Sequence, residues 1–149
     1  MSEPKKLKTG VVRGGGPPPG YEWSVGILSF VFDEAENVLT ESGYKHLQMQ
    51  IKDLASTPEP TRSETVDVRD IEDFYEIRDS GTVFGNANIR LFFGIDKAAR
   101  SLIVLGVIKK QNNGPTPVGD RVRMRNRWRK YKEGVFGPFP PDNQEIHSE

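Results

Sequence analysis

The most constraining stretch is residues 102–108, LIVLGVI, which is followed by Lys109 and Lys110. Seven apolar or small residues, several of them β-branched, are too few for a membrane span and too unbroken for a surface helix. They predict a strand covered on both faces. A lysine pair at its end marks where the chain leaves the core. Residues 111–115, QNNGP, carry the Asn and Gly that tolerate left-handed backbone angles, so a turn is expected. Thr116-Pro117 then predicts a helix N-cap followed by proline in the first helical position. Beyond it, Met124, Trp128 and Tyr131 fall at i, i+4 and i+7. Arg121, Arg123, Arg125 and Arg127 alternate with other residues at a strand-like period of two. The Thr-Pro start favours helix, and either geometry leaves arginines on an exposed face.

A fold must be built around that strand. Residues 21–27 alternate Tyr, Trp, Val and Ile with Glu, Ser and Gly, which predicts a first strand. Two helices are expected next, over about 32–39 and 44–55. Ser42-Gly43 separates them, and Tyr44, Leu47, Ile51 and Leu54 form the second helix's apolar stripe. Short strands are expected at 65–69 and 73–78, and a stronger one at 88–95. In that strand Ile89, Leu91, Phe93 and Ile95 share one face, and Arg90 and Phe92 the other. Residues 96–100 are a tight link to the apolar strand. The expected class is α+β: a small antiparallel sheet, mainly a three-stranded meander plus the N-terminal strand, with two helices on one face and a basic C-terminal helix. Residues 1–20 hold a basic, Gly/Pro-rich arm, 21–132 the domain, and 133–149 a Pro-rich, acidic tail.

Composition narrows the chemistry. The chain has no cysteine, so disulfides and thiolate metal sites are excluded, and its two histidines, His46 and His147, are far apart. No metal or cofactor is expected. No apolar run reaches membrane-spanning length and no secretory signal is legible, so a cytoplasmic protein is expected. The net charge of zero hides a segregation. Residues 105–134 hold nine Lys/Arg against two acidic residues, a net of +7. Residues 33–79 hold thirteen Asp/Glu against five Lys/Arg, a net of −8. Such a basic patch suits a polyanion. Alternatively, the two segments neutralise each other in the fold.

The run FYEIR, NIRLFFGID, LIVLGVIKKQ, TP and RKY, in that order over roughly residues 23–131, resembles the RelE/ParE superfamily of toxin–antitoxin toxins. Within it the likeness is to HigB-like and phage-derived host-inhibition proteins. The resemblance implies a RelE-like fold, a small cognate antitoxin (in some pairs a helix-turn-helix protein), and metal-independent cleavage of mRNA, in many members on the ribosome. Together with the charge of the basic segment, it makes Arg90, Lys109, Lys110 and Tyr131 the candidate catalytic residues, and Arg125, Arg127, Arg129 and Lys130 the candidate RNA-binding residues. Glu76 and Arg78 match its E-x-R strand. The chain departs from the compact pattern in its arm, acidic centre and tail, and it lacks a histidine near the basic segment.

That chemistry has its own logic. Cleavage at a 2′-hydroxyl needs a base, stabilisation of phosphorane charge, and an acid for the leaving oxygen. An arginine fork suits the phosphate, and a lysine crowded by other cations can serve as base. If the 96–100 turn is tight, Arg90 falls opposite about 106–109, within reach of the lysines. For Glu76 and Arg78 a structural ion pair is the expectation, and for Trp128 core packing. The alternative to an endoribonuclease is an interaction module of the same fold. It would bind RNA without cutting it, or inhibit a protein target such as gyrase.

Overall fold

A computed structural model of the chain describes residues 17–79, 88–110 and 114–136. Its centre is the expected apolar strand, β5 (Ser101–Lys110), in which every residue from Ser101 to Ile108 is buried. The other elements are β1 (Ser24–Ile27), α1 (Phe30–Val38), α2 (Glu41–Ala55), a single 3-10 turn (Pro60–Arg62), β2 (Val68–Asp70), β3 (Tyr75–Asp79), β4 (Asn88–Asp96) and α3 (Val118–Lys132). The strands form one five-stranded sheet in the order β1-β5-β4-β3-β2. β1 runs parallel to β5, and every other neighbouring pair is antiparallel. The sheet is therefore mixed, and the meander has four strands rather than three. The short β2 pairs with β3 as its outer strand. Among the described residues, no helix is long and apolar enough to cross a membrane.

The faces follow from alternation, corrected at one point. In β4 and β5, Phe92 pairs with Gly106 but Phe93 pairs with Val104, so Leu105 is an extra, bulged residue. One face therefore carries Ile89, Leu91, Phe93 and Ile95 of β4 with Leu102, Val104 and Val107 of β5. Leu91, Val104 and Val107 share a cavity with Val31 and Ala35 of α1 and Leu47 and Ile51 of α2, so both helices cover this face. The other face carries Arg90, Phe92 and Gly94 with Ile103, Gly106 and Ile108, and α3 lies on it. Contact there is close: a Cβ on Gly94 would stand 2.5 Å from the Trp128 ring, and one on Gly106 2.4 Å from the Met124 methyl. Met124, Trp128 and Tyr131 are all buried, so the helical stripe prevails over the period-two arginines.

Several boundaries shift by a few residues from expectation, β1 starting at Ser24 and β2 lying at Val68–Asp70 among them; three further differences have a local reason. Ser42-Gly43 does not separate the helices. Thr40 caps α2, its hydroxyl accepting from Gly43 N at 3.1 Å, so both residues fall in the first turn. Pro117, not Thr116, is the N-cap of α3. Thr116 stands one residue outside, and its hydroxyl is engaged elsewhere. The folded chain also continues past residue 132: Gly134, at φ +78°, turns it back, and Phe136 packs edge-to-face on Phe30 with ring centroids 5.7 Å apart. Residues 1–16 of the expected arm, 137–149 of the expected tail, the 80–87 connection and residues 111–113 of the expected turn lie outside the described residues.

Candidate functional site

At one end of the sheet, the face beneath α3 carries a cluster of charges. β3 places Glu76 and Arg78 on this face, and the register sets Arg78 beside Arg90 and Arg90 beside Ile108. Glu76 is 0% exposed and Arg90 1%. Buried charges persist only when paired and hydrogen-bonded, and the partners are present. Arg90 Nη1 lies 3.5 Å from Glu76 Oε2 and 3.3 Å from Thr116 Oγ1, and its Nη2 donates to Gly114 O at 2.9 Å. Thr116 donates its hydroxyl proton to Glu76 Oε1, and Arg78 Nε donates to Glu76 Oε2. Arg90 Nε has no partner among the described residues. Burial pushes the Arg90 guanidinium below its usual range, Glu76 opposes that shift, and Arg78 and Arg69 add to it. Two buried or half-buried arginines thus face one carboxylate.

The expected catalytic set does not converge. Arg90 pairs opposite Ile108, within the expected span, but neighbouring strand residues point to opposite faces. Lys110 pairs with Asn88 and shares the face of Arg90. Lys109 pairs with Ile89 and points to the α1–α2 face. The register therefore starts the two lysines on opposite faces of the sheet. Tyr131 is buried, donates to Asp96 Oδ2 at 2.6 Å, and stacks on Trp128 with centroids 5.4 Å apart and planes 4° apart. Asp96 is six residues along β4 from Arg90, about 20 Å at strand rise. Tyr131 thus belongs to the far end of the sheet. Arg90 itself is closed off from solvent and does not face an open groove.

The basic helix is clamped on both flanks by the acidic centre. On the β3 side, Arg125 makes a fork to Glu72 at 2.7 and 2.6 Å, and Lys132 reaches Asp73 at 2.7 Å. These bonds hold both carboxyls below their usual range. On the α1 side, Arg127 Nη2 donates to Glu34 at 2.7 Å. Arg127 Nη1 donates to the same carboxylate at 3.1 Å and to the bulged Leu105 O at 2.7 Å. Glu34 also accepts from Val107 N at 3.1 Å. That satisfies the edge of β5 where β1 has ended.

Of the four expected RNA-binding residues, Arg125 and Arg127 are committed to these clamps. Arg129 and Lys130 are exposed, and among the described residues Arg129 meets Asn126 and, at 3.7 Å, Glu133 at the end of its own helix. Arg123, outside the expected set, is also exposed and meets Asp120 at 3.2 Å. The exposed cations of α3 that no acidic residue of another element engages, among the described residues, are therefore Arg123, Arg129 and Lys130. Glu34, Glu72 and Asp73 could not be found as partners by sequence reasoning, since they lie 53 to 93 residues from the cations they bind.

No protein-family model matches the chain, and no curated protein matches it. Solved structures do. A double arginine-to-alanine variant of the E. coli toxin RelE in the free state is similar at 16% identity and a TM-score of 0.44, covering 58% of this chain and 81% of that one. The isolated E. coli RelE toxin is similar at 18% identity and a TM-score of 0.44, covering 70% of this chain and 98% of that one.

Proposed function

We propose that the chain is the toxin-like component of a toxin–antitoxin pair and acts by binding single-stranded RNA through the outer surface of α3. The sequence resemblance supplies the class, with a small cognate antitoxin as partner and mRNA, free or on the ribosome, as target. The observation that carries binding over cleavage is the burial of Arg90. A guanidinium 1% exposed and committed to Glu76 and Gly114 is not presented to a scissile phosphate. Arg123, Arg129 and Lys130 stand in solvent, where phosphate contacts release counterions. The test is equilibrium binding of a labelled single-stranded RNA across a salt series. Arg123→Gln, Arg129→Gln and Lys130→Gln together are expected to weaken binding and flatten its salt slope by about 2. Unchanged affinity and slope overturn the assignment.

One observation favours cleavage as a second reading. Arg78, Arg90 and Lys110 lie on one face at one end of the sheet, and Arg78 is half-buried rather than sealed. Induced expression with and without the neighbouring antitoxin, followed by mapping of RNA ends, separates the two. Toxicity without new ends supports the binding reading. New ends lost in Lys110→Ala and Arg78→Ala variants, with the circular dichroism spectrum unchanged, support cleavage.

A further inference from the structure

One flank of α3 carries a feature that the charge argument leaves unused. Phe30 opens α1 with 36% of its surface exposed. A lone exposed phenylalanine is ordinary, but this one is built into a group. The Arg127 guanidinium lies over its ring, 4.2 Å from the centroid. Phe136 meets it edge-to-face. The chain reaches that position through a left-handed glycine: Gly134 N bonds Tyr131 O and Val135 N bonds Lys130 O, both at 3.0 Å. This pattern ends a helix and sets the exit direction of the chain. It returns an aromatic side chain to the start of α1.

The cations on this flank are ordered by the helix. Arg123, Arg127 and Lys130 recur at i, i+4 and i+7, so they form one stripe. The contacts of Arg127 fix which way that stripe faces: toward α1. Arg123 and Lys130, both exposed, therefore stand on either side of Arg127, about 6 Å and 4.5 Å from it along the helix axis, and Arg127 lies on the Phe30 ring. The acidic side chain in the same place, Glu34, is already engaged by both Arg127 nitrogens and by Val107 N. Aromatic rings beside a guanidinium plane, with exposed cations on either side, match the needs of an unpaired base and its phosphates. A duplex offers no such base face.

Building on the RNA-binding reading, we infer that Phe30 and Phe136 form a stacking platform for one unpaired base of single-stranded RNA, with the flanking phosphates held by Arg123 and Lys130. The test uses the full chain, a labelled single-stranded RNA and its duplex, each titrated across a salt series. The native chain binds the single strand in preference to the duplex. Phe30→Ala and Phe136→Ala each weaken single-strand binding by roughly 5- to 150-fold with the salt slope unchanged, because stacking releases no counterion. Arg123→Gln with Lys130→Gln lowers the slope by about 1.4. Circular dichroism confirms folding, and Phe136→Ala, at the end of the described chain, is the less disruptive of the two aromatic changes. Native-like affinity in both folded aromatic variants overturns the platform and leaves RNA binding by α3 standing. No RNA binding by the native chain overturns both.

Discussion

At the residue scale, the Glu76 cluster ties local sequence to tertiary structure. Glu76 and Arg78 are two apart on one strand, so they share a face, and their pairing was legible from that spacing. The burial of Arg90 was not. It depends on Thr116 and Gly114 arriving from 24 to 26 residues away, under a helix whose docking no local pattern specifies. The cluster's asymmetry gives a test. Glu76→Gln leaves two guanidiniums sharing a neutral amide, and is expected to cost about 3–5 kcal/mol. Arg90→Met leaves the carboxylate with Arg78 and Thr116, and fills the space with an apolar stem. It should cost clearly less. Urea denaturation of the two variants checks the order. Equal losses would mean that Arg90 anchors the cluster as much as Glu76 does.

At the element scale, α3 and the sheet are fitted to each other by absence of side chain. Gly94 receives the Trp128 ring and Gly106 receives Met124. The two sites differ in what can move. An indole stacked on Tyr131 with a lysine beside it is fixed. A methionine terminus can swing. Gly94→Ala is therefore expected to destabilise by about 1–3 kcal/mol through overpacking, and Gly106→Ala by less. Thermal unfolding followed by tryptophan emission ranks them, and a larger loss at Gly106 would contradict the packing argument. The alternation that separates Arg90 from Ile89 was legible in β4. The bulge at Leu105 was not, since LIVLGVI has no residue that signals which position is extra. The parallel placement of β1 was equally silent, because a four-residue strand pairs by what is left open beside β5.

At the scale of the whole molecule, zero net charge and strong segregation describe a protein that partly neutralises itself. Of the two sequence readings of that segregation, the neutralising one holds in part. Glu34, Glu72 and Asp73 engage three cations of α3, while Arg123, Arg129 and Lys130 remain outward. The acidic centre therefore competes with any polyanion for the helix. Arg125 and Lys132 are half-exposed cations whose present partners, Glu72 and Asp73, sit on the same side of α3. Their carboxyls are held below the usual range, so the pairs persist as pH falls and are lost only below the ordinary carboxylate titration. Substitution is the cleaner way to break them. In Glu72→Gln with Asp73→Asn, two cations are released without adding any positive residue. Exposed pairs contribute little to stability, so the fold should persist with a slightly lower unfolding midpoint. Binding of single-stranded RNA should then strengthen, and its salt slope should steepen by up to about 1.4. The titration that measures native binding measures this as well. Unchanged affinity and slope in a folded double variant would mean that the β3 flank of α3 does not meet RNA, confining the interface to the outer surface and the α1 flank.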